Sequence, residues 1–163
     1  MYNDNEHELP WSLAHIAMGG NLGDREATLR EAVARLRRPD VRVRAVSRFI
    51  ETSPVGPAGQ GFYINGAVEV ETTLTPHELL AVLMDVERQL GRDRSHERRW
   101  GARTCDLDLL LVGPTVLDTP NLTLPHPRMH ERKFVLEPLA DIAPEAVHPL
   151  LGKTVLQLLK ELP

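Results

Sequence analysis

Two aspartates, Asp106 and Asp108, stand one residue apart at the head of an apolar run that continues through Leu109 to Val112. On an extended strand alternate side chains share a face, so the two carboxylates project together about 6–7 Å apart. Such a pair can bridge two hard cations about 3.5–4 Å apart, the arrangement that clamps the attacking and leaving oxygens of an in-line displacement at phosphorus. Between Gly91 and Cys105 lie five arginines (Arg92, Arg94, Arg98, Arg99, Arg103) against two acids, Asp93 and Glu97. This positive surplus sits in a chain whose formal net charge is -4. Guanidinium forks match phosphate oxygens, so anionic metal ligands beside them are what a polyphosphate substrate requires. Each half alone has an ordinary explanation. An Asp-x-Asp pair is often a turn or surface feature, and an arginine-rich loop is usually solvated or, occasionally, an RNA-binding patch. Their adjacency, with Trp100 and Gly101 in between, points to a phosphate–metal site. No Gly-x-x-x-x-Gly-Lys-Ser/Thr segment is present, so the cradle is not a P-loop. Gly19-Gly20-Asn21-Leu22-Gly23 reads by itself as a tight turn into a helix.

The periodicity predicts the elements that position these residues. Ala14 to Met18 reads as a short buried strand, and Asp24 as the cap of a helix buried through Leu29, Ala32, Val33 and Leu36 and ended by Pro39. Val41, Val43 and Ala45 alternate with Arg42 and Arg44 in a half-exposed strand. A Pro/Gly-rich loop, Ser53 to Gly61, leads into a third strand over about Phe62 to Glu71. Thr75-Pro76-His77-Glu78 combines a capping box with proline at the first helical position. Leu79, Leu83, Val86 and Leu90 form that helix's buried stripe, with Gly91 as its stop. Asp106 to Val112 is a further strand, Gly113-Pro114 a turn, and Thr154 to Leu162 a terminal helix beyond Pro-rich loops. The order predicts an α+β fold, a ferredoxin-like α/β sandwich with helices packed on an antiparallel sheet and extra C-terminal elements. Residues 1–12 read as a flexible extension and 13–163 as a single domain.

The chain has 163 residues, 42% hydrophobic and 26% charged, as expected of one globular domain. The acidic balance argues against a protein that coats nucleic acid, and no apolar run approaches the roughly 20 residues that span a bilayer. The single cysteine, Cys105, makes no internal disulfide. On the strand it points away from the face of Asp106 and Asp108, so it is not expected to be a nucleophile. The first ten residues are polar and acidic, unlike a signal peptide, and a cytoplasmic address is expected.

The run from Arg99 to Leu110, Arg-Trp-Gly-Ala-Arg-Thr-Cys-Asp-Leu-Asp-Leu-Leu, closely resembles the signature of the 6-hydroxymethyl-7,8-dihydropterin pyrophosphokinases. The resemblance extends to Gly19 through Asp24, Thr52 through Gly56, Phe62 through Asn65, Glu87 with Leu90-Gly91-Arg92, and Pro125-His126, and covers residues 13–160. It implies transfer of diphosphate from ATP to the hydroxymethyl oxygen of the pterin, with AMP leaving, in folate assembly. It further implies that Asp106 and Asp108 hold two magnesium ions, and that Arg92 and Arg103 meet the phosphates, with Arg94 and Arg132 as further donors. Glu87 is implied at the ATP site toward adenosine and His126 at phosphate, with Thr123 and Leu109 as walls of the nucleotide site. Without the resemblance, Glu87 reads as a solvated helix carboxylate and His126 has no role.

A pterin is a flat polar ring system, which needs stacking faces and in-plane hydrogen-bond partners. Tyr63 and Phe134 match the two family aromatics that sandwich it, in a chain only 4% aromatic. Asn65 can read its edge, Ser53, Pro54 and Val55 line it, Asp106 also faces it, and Trp100 belongs to an arginine-rich loop expected to close over both substrates. Met84, Asn121, Pro127 and Gly20 depart from residues common in the family, all at peripheral positions. A monomer acting on ATP and a small pterin, without nucleic-acid or membrane partners, is expected. Two rivals remain at this stage. Another two-metal enzyme, such as a nuclease or nucleotidyltransferase, would use the same carboxylates without a stacked pocket, and a non-catalytic nucleotide- or RNA-binding module would tolerate loss of both aspartates.

Overall fold

Residues 10–20, 25–52, 63–92 and 105–163 are described by the structure, a computed structural model. Side chains of Arg25 and Arg92 lie outside that description, as do the helix cap expected at Asp24 and the loops expected at 53–61 and 93–104. The chain runs β1 (Ser12–Gly20), α1 (Arg25–Leu36), β2 (Val41–Val46), β3 (Ile50–Thr52), β4 (Tyr63–Thr72), α2 (Pro76–Arg92) and β5 (Asp106–Val112). A short ribbon of β6 (Leu117–Asp118) and β7 (Thr123–Leu124) follows, then α3 (Lys133–Ile142) and α4 (Val155–Glu161). The main sheet is antiparallel in the order β2-β4-β1-β5, with β3 also on β4. This is the expected ferredoxin-like order.

The sheet is covered on both faces. Leu29, Ala32 and Leu36 of α1 and Leu79, Leu83 and Val86 of α2 are buried against Ile16, Met18, Val68, Val70, Leu107 and Leu109. On the opposite face Ala67, Leu110 and Leu111 pack with Met129 and with Val135, Leu136 and Leu139 of α3. The unbroken apolar run of β5 has a local cause. A register shift between His15 and Ile16 places Leu110 outside the one-to-one pairing, so Leu110 and Leu111 both reach the α3 face.

The capping signals act as expected. Thr75 N–H donates to Glu78 Oε1 at 2.9 Å while Glu78 N–H donates to Thr75 Oγ1 at 3.2 Å. Those bonds to Thr75 hold the Glu78 carboxyl below its ordinary pKa. Gly91 does not end α2, which continues to Arg92. β1 begins at Ser12, inside the stretch read as an extension, and Trp11 lies under the Arg42 guanidinium at 3.7 Å.

β3 and α3, like the short β6–β7 ribbon, were not anticipated. β3 rejoins the edge of β4 after a break at Ser47, whose N–H donates to Ala67 O at 2.9 Å and whose Oγ accepts from Ala67 N–H at 2.8 Å. Phe49 then packs so closely over β4 that a Cβ on Gly66 would meet its ring at 2.7 Å. α3 contains Pro138, which supplies no N–H to the Phe134 carbonyl one turn earlier, yet its apolar stripe carries the helix.

The turn before α4 depends on a neutral histidine. His148 Nδ1 accepts from Leu150 N–H at 3.3 Å and from Leu151 N–H at 3.1 Å. Burial, and next His130, lowers its pKa from the ordinary 6.5. A group depressed on folding stabilises above the unfolded value and loses that contribution as pH falls through the folded one. Urea unfolding should therefore show stability declining as pH drops below 6.5, with a shallower decline in His148→Asn.

Candidate active site

Strand register builds the floor of the site. Cys105, Leu107 and Leu109 are buried in the α1/α2 core, so Asp106 and Asp108 face the other way, half-buried and exposed respectively. Directly across on β1, Asp106 pairs with Gly19 and Asp108 with Ala17. Residues opposite one another in an antiparallel pair project to the same side. Each carboxylate thus has a small neighbour, glycine or alanine, and space is left above it. One strand further, Gly19 pairs with Asn65 and Ala17 with Ala67 on β4.

This floor opens into a cavity of about 890 Å³. Asp106, Asp108, Tyr63 and Asn65 line it from the sheet, and Arg132 and Phe134 from the start of α3. The Arg132 guanidinium lies 5.7 Å from the Phe134 ring centroid. Tyr63 and Phe134 are 36% and 45% exposed on the cavity wall. Asn65 is buried and donates from Nδ2 to Thr52 Oγ1 at 3.0 Å.

His126 borders the outer edge of β5. Its N–H donates to Leu110 O at 2.9 Å, after a cis peptide bond between Leu124 and Pro125. Its Nδ1 accepts from Arg128 N–H at 3.2 Å, which places the proton of the neutral ring on Nε2. Burial lowers its pKa against the pull of Asp108, and Arg132 and Arg128 lower it further. Near neutral pH it is an uncharged N–H donor. Thr123 is half-buried in β7, beside β5.

Cys105 is excluded from chemistry. Burial first, then Glu87 and Asp106, pushes its thiol up to about 12, so no thiolate forms near neutral pH. Leu109, expected as a wall of the nucleotide site, has its side chain 4% exposed in the core beneath α1 and α2, on the face opposite the aspartates. Arg94, Arg103, Trp100, Ser53, Pro54, Val55 and the Arg92 side chain lie outside the described residues. Met84, Asn121 and Pro127 are all exposed. Thr52, Gly19, Lys133 and Glu137 line the cavity; Gly19 and Thr52 open two of the runs that carry the resemblance, but none of the four was given a site role from the sequence. Membership of those runs was the available signal for Gly19 and Thr52, and the neighbourhood of Thr52 and Asn65 emerges only once β3 and β4 pair.

Residues 15–144 match the profile of the 7,8-dihydro-6-hydroxymethylpterin-pyrophosphokinase (HPPK) family. The chain belongs to this family. It is 51% identical over 132 residues to a 2-amino-4-hydroxy-6-hydroxymethyldihydropteridine pyrophosphokinase of Bacillus subtilis, covering 80% of this chain and 78% of that one. A protein of the same name from Methylorubrum extorquens is 43% identical over 150 residues, covering 91% and 92%. The fold is similar to the crystal structure of wild-type Plasmodium falciparum HPPK-DHPS, with a TM-score of 0.73 at 14% identity. That match covers 95% of this chain, which spans only 45% of the Plasmodium chain.

Among the HPPK residues placed here, Glu87 has a structural task visible in the geometry. From α2, its Oε2 accepts the N–H of Leu107, the residue between the two aspartates, at 2.9 Å. Among the described strands β5 lies at the edge of the sheet, and this N–H has its acceptor on α2. Glu87→Ala should lower unfolding stability by about 1–3 kcal/mol, the cost of leaving a part-buried donor unmet. Glu87→Gln, which keeps an acceptor oxygen, should lose less in the same urea titration.

Proposed function

We propose that this HPPK chain transfers a diphosphate group from ATP to the hydroxymethyl oxygen of 6-hydroxymethyl-7,8-dihydropterin, releasing AMP and the pterin diphosphate, as a step of folate biosynthesis. The observation that carries this reading is the shared cavity. It combines two carboxylates over small residues with two exposed aromatics and a buried amide. A nuclease or a simple nucleotide-binding module has no use for the second half of that set.

Among the described residues no three acidic, histidine or cysteine side chains converge as a complete metal centre. Two carboxylates fit magnesium instead, which binds through one or two of them together with substrate phosphates and water. Asp106 and Asp108 would hold two such ions, which neutralise and align the ATP phosphates when bound. Arg132, His126 as an Nε2–H donor, and the arginines Arg92, Arg94 and Arg103 supply donors to phosphate oxygens. Donors fixed before reaction favour the developing charge over the ground state. Glu87 serves the adenosine end as well as the strand, with Thr123 alongside.

Tyr63 and Phe134 stack the pterin and Asn65 reads its edge, with Ser53, Pro54, Val55 and Trp100 as further pterin-binding residues. Held this way, the hydroxymethyl oxygen attacks the β-phosphorus. The bond from that phosphorus to the oxygen bridging the α-phosphate breaks, AMP leaves with that oxygen, and the hydroxyl proton passes to solvent. No covalent enzyme intermediate is formed. We take the enzyme to act as a monomer on these small-molecule substrates. No described helix is long and apolar enough to cross a membrane, and we place the enzyme in the cytoplasm.

Incubation with ATP, magnesium and the reduced pterin alcohol should yield AMP and pterin diphosphate in equal amounts. Asp106→Ala should reduce turnover on the order of a hundredfold or more while keeping a near-native unfolding midpoint. Turnover like that of the wild type in this variant would overturn the metal assignment.

A further inference from the structure

We propose that Thr52 is a positioning residue for substrate recognition: its hydroxyl holds the Asn65 carboxamide in the orientation that reads the ring edge. The inference rests on the pterin reading of the cavity given above. Asn65 lies on β4 at 8% exposure, with Ile50 of β3 on one side and Gly19 of β1 on the other. Thr52 pairs with Tyr63, so it is the diagonal neighbour of Asn65 on the same face. Across that diagonal Asn65 Nδ2 donates to Thr52 Oγ1 at 3.0 Å. The other end of the amide points toward β1, where a Cβ added to Gly19 would come within 3.3 Å of Oδ1. The carboxamide is therefore laid across the sheet with its nitrogen toward β3 and its oxygen toward β1.

That direction determines what a ligand meets. A primary amide has two N–H donors and one acceptor oxygen. One N–H is committed to Thr52, so the ligand finds the second N–H and the oxygen side by side. This adjacent donor and acceptor complements a flat heterocycle whose rim alternates acceptor and donor atoms. An untethered amide has a broad, roughly two-fold χ2 profile and must be ordered when ligand binds. The Thr52 hydroxyl does that ordering beforehand. The short strand β3 is what brings it there, and the close passage over Gly19 leaves the oxygen its place.

Thr52→Val removes the hydroxyl at nearly constant volume, Thr52→Ser keeps it, and Asn65→Ala removes the group it positions. For Thr52→Val, the pterin KM, and the pterin Kd from fluorescence titration, should rise about five- to tenfold. The ATP KM and the unfolding midpoint should stay unchanged, and Thr52→Ser should remain within about twofold of the wild type. Asn65→Ala should weaken pterin binding at least as much, and adding Thr52→Val to it should cause no further loss. If the two losses add, or if Thr52→Val raises both KM values together, Thr52 acts independently of Asn65 and the inference falls. If Thr52→Val binds pterin normally while Asn65→Ala does not, the inference falls and the pterin reading stands. Normal binding in all variants would overturn the pterin reading itself, and this inference with it.

Discussion

The register between β5 and β1 is the constraint on which everything else depends. Leu107 and Leu109 are held in the core beneath α1 and α2, and the period of two then leaves Asp106 and Asp108 no choice but the opposite face. A slip of one residue would drive both carboxylates under the helices and expose the leucines, with a loss of apolar burial and an uncompensated cost of buried charge. The same alignment sets Gly19 and Ala17 opposite the aspartates. Core packing and an open acidic floor are therefore two consequences of one pairing.

The two faces of the sheet divide the work. The α1/α2 side is a foundation of fully buried aliphatic side chains, and α2 also reaches around the edge through Glu87 to the Leu107 N–H. The other side is only partly covered, because α3 packs across β4 and leaves the Gly19, Ala17 and Asn65 rows open at its N-terminal end. Arg132 and Phe134 sit at that end, so the helix that closes the second core also supplies the far wall of the cavity. Arg48 ties the C-terminal end of α3 to the break before β3, its backbone N–H donating to Asp141 Oδ2 at 2.8 Å.

Much of this was legible in the residues. Alternation placed β5 and its carboxylates, the helical period placed α1 and α2, and the Thr75–Glu78 box marked the start of α2 where the hydrogen bonds now show it. The inert Cys105 followed from the same alternation. What was not legible depends on long-range contacts. β3 is three residues long and exists because Ser47 carries the chain back to β4, which no local pattern announces. α3 was hidden by Pro138, whose cost is met by burial of Val135, Leu136 and Leu139. The parity of Leu109 with Leu107 places its side chain in the core, on the other face from the aspartates. Thr52 gains a partner only through β3, so its contact with Asn65 could not be read before the sheet was known.

The central claim is that Asp106 and Asp108 act together on metal-bound triphosphate beside a stacked ring. The most direct measurement is a crystal structure with manganese in place of magnesium, a non-hydrolysable ATP analogue and the pterin alcohol, using the anomalous signal to locate the ions. The account predicts two peaks about 3.5–4 Å apart, bridged by both carboxylates and by phosphate oxygens, with the ring between Tyr63 and Phe134. Carboxylates turned away from the nucleotide, or density without an anomalous peak between them and the phosphates, would contradict it.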